Sequence, residues 1–450
     1  MCSLLFSTIL PKADINYINE HLKYRGPDAT NYLTHNNHFY LHNLLSLTGA
    51  FTPQPVIQED IAVLFNGEIY DYKEHGDYDN DTKCIIPLYK QHGVDFIKKV
   101  NGEFAICLVD YVLEIIIVTT DVHGTKPIFL STSGGVGVAT YYSALERIGF
   151  AKESIKKVPA NTTLIIDFQG KILESLPIKE YDLNQYKTTY DDFFKAFTDS
   201  IVRRAVSNIR EKLFLGLSSG YDSGVLACSL MKLGVPFKAY SVVGSENVRV
   251  LKERWAKFGG KFDLEVTVIT PELRAKAHQH LLDTTCKWNY CIYSPLTDYN
   301  EFDLALADDH GSNSLSHVCS LAKRDGKKIF LETTGCDEIY GDYPSYKHTN
   351  FHGIFPENLK DIFPVFENGA WRHRGWPSFF SSTTQSYIEK CEWTGGSWGI
   401  ETRYPFLDPQ VVQEFLWLKA ELKNRNYKAP LYEFLIANDY PFEKGQKIGF

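Results

Sequence analysis

Residues 215–224 read LGLSSGYDSG, and this stretch decides the fold of the second part of the chain. The strand-like run KLFLGL leads into it, and the helical run VLACSLMKLG follows it. A strand that ends in small residues and then turns into a helix is the repeating unit of a parallel α/β sheet. The backbone N–H groups of such a turn, together with the start of the helix, form a nest suited to phosphate. The stretch therefore predicts a parallel sheet with an anion site at the end of one strand.

The same alternation of helix and strand continues on both sides of this turn. The amphipathic segment YDDFFKAFTDSIVRRAVSNI precedes it and spaces its apolar residues like a helix. The strand FKAYSVV, the helix NVRVLKERWAKFG, the strand LEVTVI and later the strand-to-loop run KKIFLETTG follow it. This order predicts a parallel α/β domain from about residue 186 to residue 450.

The first part of the chain has a different pattern. Short β-rich runs alternate with turns as far as about residue 180: HFYLHNLLSL, IAVLFNGEIY, FAICLVDY, EIIIVTTD and NTTLIIDF. Helical patterns are few there, and DTKCIIPLYKQHG is the clearest. We therefore expect stacked sheets with flanking helices, and we place the boundary within EYDLNQYKTTYDD. The predicted domains are 1–185 and 186–450.

The composition limits the class of protein. The chain has 450 residues, of which 44% are hydrophobic and 23% charged, as in a soluble globular protein of two or three domains. The formal net charge of −8 gives no electrostatic reason to expect nucleic acid or an anionic membrane as a partner. Apolar runs such as VLEIIIVTT are too short to cross a bilayer, and the N-terminus lacks the features of a secretory signal.

The nine cysteines are scattered and odd in number. Such a set is typical of reduced thiols, so we expect a cytoplasmic protein. The closest pair, Cys286 and Cys291, lacks the paired clusters of a zinc site.

Cys2 stands directly behind the initiator methionine in MCSLLFSTIL. Alone it is weak evidence, but removal of Met1 would give one residue both a thiol and a free α-amino group. That amine titrates near ~7.7–8.0 in model compounds, so it can serve as general base for the thiol. Attack on an acyl carbon also requires hydrogen-bond donors for the oxyanion. In LFNGEIY, Asn66 offers a side-chain amide and Gly67 a backbone N–H.

The order of further short segments makes this chemistry specific. After Cys2 come RGPD, NGEIY, DNDT, NGEFA and DVHGTKP, in that order. Residues 2 to about 165 thereby resemble the class II glutamine amidotransferase domains, which are αββα sandwiches with an N-terminal nucleophile. The resemblance implies that Cys2 attacks the side-chain amide of glutamine and releases ammonia.

The resemblance also assigns the glutamine pocket. It implies that Asn66 and Gly67 form the oxyanion hole, that Asp81 holds the α-amino group of glutamine, and that Glu68 lines the pocket. In the family an arginine in a His-x-Arg-Leu-Ser stretch clamps the glutamine carboxylate, but here HNLLSL places Leu44 at that position. The lost clamp costs binding energy. Either another cation such as Arg25 replaces it, or the use of glutamine is weak or altered.

A second candidate site begins at the turn described first. Ser218, Ser219 and Ser223 add hydroxyl donors to its backbone N–H groups. It is not a Walker A loop, because no Gly-Lys-Ser/Thr occurs in it. In TTGCDEIYGDY, Asp337 and Glu338 follow a strand and a glycine, where adjacent carboxylates can hold Mg²⁺.

The last residues extend this pattern. The chain ends EKGQKIGF, where Lys444 and Lys447 could contact phosphate or the charge developing on an acyl-adenylate. The 215–224 turn is similar to the pyrophosphate loop of ATP pyrophosphatases, with Ser219 in place of a glycine. Together with GIETRYPFLD at 399–408, these segments resemble the synthetase domain of glutamine-hydrolysing asparagine synthetases from about residue 190 onward.

This second resemblance implies a reaction and its site. ATP would activate a carboxylate as an acyl-AMP, ammonia would reach it through an internal passage, and AMP and pyrophosphate would leave. Lys447 is the implied catalytic lysine, and Asp222 and Asp337 the implied Mg²⁺ ligands. The implied ATP-binding residues are Leu217, Ser218, Ser219, Gly220, Asp222, Ser223, Val242 and Gly335. The partners are then glutamine, ATP and a carboxylic acid, without nucleic acid or membrane, and a homodimer is one assembly left open.

The acceptor acid stays open at this point. Asparagine synthetases carry a glutamate, taken as proton acceptor for ammonia, where this chain has Thr334, and a hydroxyl is a poor base. The usual Asp-Arg-Met-Ser-Met stretch is changed to EWTGGSW at 392–398. The acceptor is therefore aspartate or another acid. Two alternatives remain: a β-lactam or lasso-peptide type of amide cyclase, which typically lacks the N-terminal cysteine, and a weakly catalytic nucleotide-binding protein.

Overall fold

The computed structural model describes residues 2–205, 212–244, 246–294, 297–341, 355–372 and 374–443, and the side chains of residues 288–303 are outside this description. No helix in these ranges is both long enough and apolar enough to span a membrane.

Twelve strands and three helices make up the first part. The strands are β1 (Ser3–Ser7), β2 (Ala29–His35), β3 (His38–Leu44), β4 (Val56–Gln58), β5 (Ile61–Ile69), β6 (Gly102–Asp110), β7 (Ile115–Thr120), β8 (Phe129–Ser131), β9 (Gly137–Ala139), β10 (Lys156–Lys157), β11 (Thr162–Asp167) and β12 (Ile172–Pro177). The helices are α1 (Ile15–Ile18), α2 (Ile85–His92) and α3 (Tyr142–Ile148).

These strands form two six-stranded antiparallel sheets that pack face to face. Their orders are β10-β8-β9-β1-β3-β2 and β12-β11-β7-β6-β5-β4. Side chains alternate along each strand, so Leu4 and Phe6 point between the sheets while Leu5 packs on the outer side with α3. On the other sheet, Val63 packs outward with Leu88 of α2. The first part is therefore an αββα sandwich, as the sequence predicts.

The second part begins with α4 and alternates helices and strands. Its elements are α4 (Asp191–Ala205), β13 (Leu213–Gly216), α5 (Tyr221–Lys232), β14 (Lys238–Val242), α6 (Val248–Lys257), β15 (Asp263–Thr267), α7 (Pro271–Thr284), β16 (Lys287–Ser294), β17 (Thr297–Ala305), α8 (His310–Arg324), β18 (Ile329–Leu331), β19 (Val365–Glu367), β20 (Ala370–Arg372), α9 (Ser382–Gly396), β21 (Glu401–Arg403), α10 (Pro409–Trp417), α11 (Ala420–Lys423) and α12 (Ala429–Ala437).

Five of these strands form a parallel sheet with helices on both faces. The order is β15-β14-β13-β18-β21, which puts β21 at one edge. Phe214 of β13 packs on one face with Val318 of α8, and Leu215 packs on the other with Leu226 of α5. The pairs β16–β17 and β19–β20 are separate antiparallel hairpins. The predicted parallel α/β architecture is confirmed.

The carboxyl ends of parallel strands meet at one edge of the sheet, where open α/β folds bind ligands. The turn after β13 and the turn after β18 both lie there, because β13 and β18 are paired neighbours. We keep residue 185 as the proposed domain boundary, because it falls between the last strand of the sandwich and α4. The two parts share one apolar cluster, in which Ile117 of the sandwich joins Phe197 and Phe406 of the second part.

Candidate active sites

Cys2 lies directly before β1 and is buried. Its Sγ accepts the Leu45 N–H at 3.5 Å and lies 3.9 Å from the Leu45 carbonyl oxygen. Burial is the main cause that raises the pKa of the Cys2 thiol to about 11, and the nearby charges of Glu401 and Asp81 also raise it. The thiol is therefore protonated at neutral pH and needs a base before it can act as a nucleophile.

Asn66 and Gly67 lie near the end of β5, which packs against β1. Neither the nitrogen nor the oxygen of the buried Asn66 amide has a hydrogen-bond partner among the described residues. Gly67 has a φ of +138°, and a Cβ there would lie 2.0 Å from the carbonyl oxygen of Glu103. An unpartnered amide beside a backbone that excludes a side chain fits a site that receives a ligand oxygen.

Asp81 and Glu68 are buried acids of the same region. Asp81 accepts the N–H groups of Ile69 and Thr82 at 3.0 and 2.9 Å. Burial raises the pKa of Asp81 to about 7 and raises that of Glu68 well above its usual value. Glu68 accepts a hydrogen bond from the Thr48 hydroxyl at 3.0 Å. Burial therefore favours the neutral form of both carboxyl groups.

A cavity of about 810 Å³ is lined by Tyr72, whose pKa is raised by burial and by the nearby charges of Asp81 and Glu68. Its walls also include Leu47 and Gly49, which flank the Thr48 that donates to Glu68, and Asp79, two residues before Asp81. Lys73 also lines the cavity and is exposed.

Arg25 is fully buried beside Cys2 rather than in this cavity. Its Nε donates to the Cys2 carbonyl at 3.2 Å, and its Nη2 pairs with Glu392 at 2.9 Å. Gly396 leaves room for it, because a Cβ there would lie 2.7 Å from the Arg25 Nη1. Leu44, at the position of the family's clamp, is buried on β3. Glutamine binding by Arg25 stays a prediction, and its observed contacts position the Cys2 main chain.

Glu392 also forms an ion pair with Lys126 at the boundary between the two parts. Its Oε1 accepts Lys126 Nζ at 2.9 Å, and Lys126 also donates to the Thr402 carbonyl at 2.6 Å. Lys126 comes from the DVHGTKP turn, where Asp121 accepts the backbone N–H and hydroxyl of Thr125. The side chains of Lys126 and Glu392 are almost completely buried. Lys126 is thus an internal ion-pair partner that reaches across the boundary.

β21 brings the second part of the chain to the first site. Arg403 Nη2 lies 3.2 Å from Glu68 Oε1, and Arg403 Nε pairs with Glu401 at 2.7 Å. The guanidinium also lies over the Tyr70 ring, with 5.5 Å between its Cζ and the ring centroid. Arg403 and Glu401 share one face of the strand because they are two residues apart. That face is turned toward Glu68 and Tyr70 of the first part.

The second site is built on the turn between β13 and α5. The Ser218 N–H donates to Ser223 Oγ at 3.0 Å, and the two hydroxyls lie 2.8 Å apart. The Gly220 N–H donates to Ser218 Oγ at 3.2 Å, and Arg254 donates to the Gly220 carbonyl at 2.7 Å. These bonds fold the turn, here called the nucleotide loop (217–223), into a compact shape.

Glu246 shows that the nucleotide loop can hold an anion. Its carboxylate accepts the backbone N–H of Ser219 at 2.5 Å and the Ser219 hydroxyl at 2.7 Å. A carboxylate in this position is an internal stand-in for a phosphate oxygen. The residues therefore fit a phosphate group, provided that Glu246 moves away when one binds.

Asp222 and Asp337, the predicted Mg²⁺ ligands, lie on either side of Lys428, and their role toward a metal stays a prediction. Lys428 Nζ is 2.7 Å from both Asp222 oxygens and 3.0 Å from Asp337 Oδ1, and Tyr427 donates to Asp337 at 2.6 Å. Although burial lowers the pKa of Lys428, the two carboxylates raise it well above its usual value. No group of three or more acidic, histidine or cysteine side chains forms a metal site in the described ranges. Two carboxylates still fit Mg²⁺, which commonly takes its other ligands from phosphates and water.

The other predicted nucleotide residues lie around the same edge. Leu217 is buried, and its N–H donates to the Tyr240 carbonyl at 2.8 Å. Val242 ends β14, beside β13. Gly335 has a φ of +102°, its N–H donates to Glu338 at 2.8 Å, and a Cβ would lie 2.6 Å from a Leu407 methyl carbon. Lys447 and Lys444 lie outside the described residues, so the role of Lys447 stays a prediction.

Several residues at these sites carry no sequence signal of their own. Lys428 belongs to no motif, and in the structure it stands directly before α12 with a left-handed φ of +47°. Glu246 follows β14 by four residues without any motif. Glu392 and Arg403 lie within quoted segments, but their contacts join positions more than 300 residues apart. Sequence spacing cannot reveal contacts of that range.

Comparisons with known proteins match the first part of the chain to one family model and most of the chain to several relatives. A family model described as a glutamine amidotransferase domain matches residues 1–172. The asparagine synthetase of Asparagus officinalis, named as glutamine-hydrolyzing, is 23% identical over 420 residues, covering 90% of this chain and 66% of its own. A protein of Arabidopsis thaliana with the same kind of name is 23% identical, and the match covers 90% of this chain and 68% of the relative. A Methanocaldococcus jannaschii protein provisionally given the same name is 26% identical, with coverages of 86% and 71%.

The chain thus spans about two thirds of the length of the plant relatives. A solved structure of the allosteric regulatory enzyme of purine biosynthesis aligns with a TM-score of 0.33 and 14% identity, covering 74% of this chain and 90% of that one. A score this low adds nothing to the architecture described above.

Proposed function

We propose that this chain, which is similar over most of its length to glutamine-hydrolysing asparagine synthetases, transfers the amide nitrogen of glutamine to a carboxylate activated by ATP. The products are the amide, glutamate, AMP and pyrophosphate. The acceptor is aspartate or another carboxylic acid that fits the cavity beside the nucleotide loop. The substrates are small molecules, and a cytoplasmic homodimer remains a prediction.

One observation carries this proposal: β21 serves both sites. The side chain of Arg403 reaches Glu68 in the sandwich, while its carbonyl oxygen accepts the Glu332 N–H at 3.0 Å beside the nucleotide loop. Two unrelated enzymes fused end to end would have no need of a shared strand. A nitrogen donor and a nitrogen acceptor that exchange an unstable, volatile intermediate do need fixed proximity.

In the first half-reaction, the α-amino group of Cys2 takes the thiol proton after Met1 has been removed. The thiolate attacks the amide carbon of glutamine, and the Asn66 side chain and Gly67 N–H stabilise the oxyanion. The amide nitrogen takes the proton and leaves as ammonia, and water then hydrolyses the thioester to glutamate. Arg25 holds the main chain of Cys2 during these steps through the 3.2 Å bond to its carbonyl.

In the second half-reaction, the nucleotide loop holds the phosphates of ATP through the donors that now hold Glu246. The acceptor carboxylate attacks the α-phosphorus, pyrophosphate leaves, and an acyl-adenylate forms. Asp222 and Asp337 would hold Mg²⁺, which neutralises phosphate charge when bound. Lys428 is then released from these carboxylates toward the nearby phosphates. Ammonia finally displaces AMP from the acyl carbon.

The affinity for glutamine is expected to fall as the pH drops below about 7. The pKa of Asp81 is raised to about 7 by burial, so below that pH the carboxyl is neutral and attracts the α-ammonium group of glutamine less. The KM for glutamine should then rise by up to about tenfold per pH unit, while kcat changes less. Glutaminase kinetics across this range test the prediction. In Asp81→Asn the KM should be high and independent of pH, and a wild-type KM that is flat below pH 7 contradicts the assignment.

A screen of carboxylic acids tests the proposed function. Purified protein is incubated with ATP, Mg²⁺ and one acid at a time, beginning with L-aspartate, and ATP–pyrophosphate exchange is measured. AMP and amide formation are then compared with glutamine and with ammonium as nitrogen source. The proposal expects exchange that depends on a particular acid and amide formation with both sources. Exchange without use of either nitrogen source supports the cyclase alternative, and no exchange with any acid supports the nucleotide-binding alternative.

A further inference from the structure

A cavity of about 210 Å³ opens at the carboxyl end of the parallel sheet. Its walls come from the nucleotide loop, from the turn after β18 and from the facing sides of α8 and α9. Four carboxylates line it, and two of them share one ammonium partner. Lys428 pairs with Asp222 and Asp337, and Glu338, which is almost completely buried, accepts the Gly335 N–H at 2.8 Å.

Glu332 is the fourth of these acids and stands directly after β18. Its own N–H donates to the Arg403 carbonyl, and its carboxylate accepts the backbone N–H of Thr334. Arg403 belongs to β21, the strand whose side chains face the sandwich. Glu332 therefore lies where that strand meets the cavity.

The attack of ammonia on an acyl-adenylate requires a base. As nitrogen bonds to the acyl carbon it becomes positively charged, and it departs again unless a proton is removed. The residue at the position of the family's proton acceptor is Thr334, whose hydroxyl is a poor base. We infer that the Glu332 carboxylate is the proton acceptor for ammonia, an inference that rests on the proposed function.

The environment of Glu332 suits this task. Burial raises its pKa above the usual value, although the Thr334 hydrogen bonds lower it, and the charge of Asp222 raises it further. A carboxylate with a raised pKa is a stronger base than one in water. Glu338 is less suitable, because burial raises its pKa to about 8 and keeps it protonated at neutral pH.

The step balances as follows. The C–N bond forms between ammonia and the acyl carbon, and one N–H proton passes to the Glu332 carboxylate. The C–O bond to the phosphate of AMP then breaks, and AMP leaves with the electron pair. The products are the amide and AMP, and Glu332 returns its proton to solvent. No oxidant, reductant or further reactant is needed.

Glu332→Gln tests the inference, because it keeps the size of the side chain and removes its basicity. L-aspartate is the first acid used, followed by any other acid found active in the screen. We expect ATP–pyrophosphate exchange to persist and amide formation with ammonium to fall by about 10²-fold or more. Hydroxylamine is less basic than ammonia, and its adduct loses a proton more easily. The loss with hydroxylamine should therefore be clearly smaller, and Glu332→Asp should keep part of the activity.

Three outcomes overturn the inference. Amide formation by Glu332→Gln at the wild-type rate shows that the carboxylate is not the base. Equal losses of exchange and of amide formation show a structural role instead. Equal losses with ammonium and hydroxylamine show that proton transfer is not what the carboxylate supplies. A wild-type protein without exchange for any acid overturns the proposed function first, and is thus distinguished from these results.

Discussion

Cys2→Ala is expected to abolish glutamine hydrolysis while leaving ammonium-dependent amide formation intact. The nucleophile is lost entirely, and removal of a covalent nucleophile lowers kcat by on the order of 10³-fold or more. The remaining half of the reaction takes place beside the nucleotide loop, where Cys2 makes no contact. Glutamate release with glutamine, and amide formation with ammonium, are measured on the same preparations.

The control for this variant is Cys319→Ala. Cys319 is another buried free thiol, but it packs on α8 among apolar side chains of the second part. The Cys319→Ala substitution should leave glutaminase activity unchanged. Residual glutaminase activity in Cys2→Ala contradicts the mechanism, and so does an intact mass showing that fully active protein retains Met1. In the second case the α-amino group of Cys2 would be blocked and could not take the thiol proton.

The second large effect concerns folding. Glu392→Ala is expected to destabilise the protein by about 3–5 kcal/mol, because it leaves the buried charges of Arg25 and Lys126 without their shared partner. Both side chains are almost completely enclosed and cannot turn to water. The thermal unfolding midpoint should fall by several degrees. Glutaminase activity should fall as well, because Arg25 would no longer be held against the Cys2 carbonyl.

An exposed ion pair provides the matched control. Lys195 and Asp199 lie one turn apart on α4, 2.8 Å from each other and largely in solvent. Lys195→Ala removes one partner of this exposed pair, just as Glu392→Ala removes one partner of the buried pairs. In the exposed pair, however, water replaces the lost interaction. The thermal unfolding midpoint of Lys195→Ala should match that of the wild type. If Glu392→Ala also unfolds at the wild-type temperature, the buried pairs do not hold the two parts together.

Local patterns predicted most of the architecture. The turn LGLSSGYDSG specified a strand, a loop and a helix, because small residues between two apolar runs leave few other folds. The runs IAVLFNGEIY and FAICLVDY became β5 and β6, which pair along their full length. The αββα sandwich and the parallel sheet followed from these runs and are present. The order of the strands within each sheet could not be predicted from local patterns, because it depends on contacts between distant segments.

The candidate sites were predicted where chemistry leaves a local motif. Asp222 and Asp337 were assigned to one site from two separate motifs, and the structure brings them to the same ammonium group. The residue that bridges them, Lys428, was not foreseen, because a lysine outside any motif usually faces solvent. Glu332 has no motif of its own, because the family pattern places the acid two positions later, where this chain has Thr334.

The shared strand β21 has a consequence for how such proteins can be recombined. A chimera that joins this sandwich to the adenylating part of a distant relative would have to satisfy Glu68, Glu103 and Lys126 with foreign partners. Glu103 accepts Arg204 and the Tyr404 N–H, so even the backbone path of the incoming part matters. Exchange of catalytic modules should therefore succeed only when the GIETRYPFLD segment travels with the sandwich that it fits.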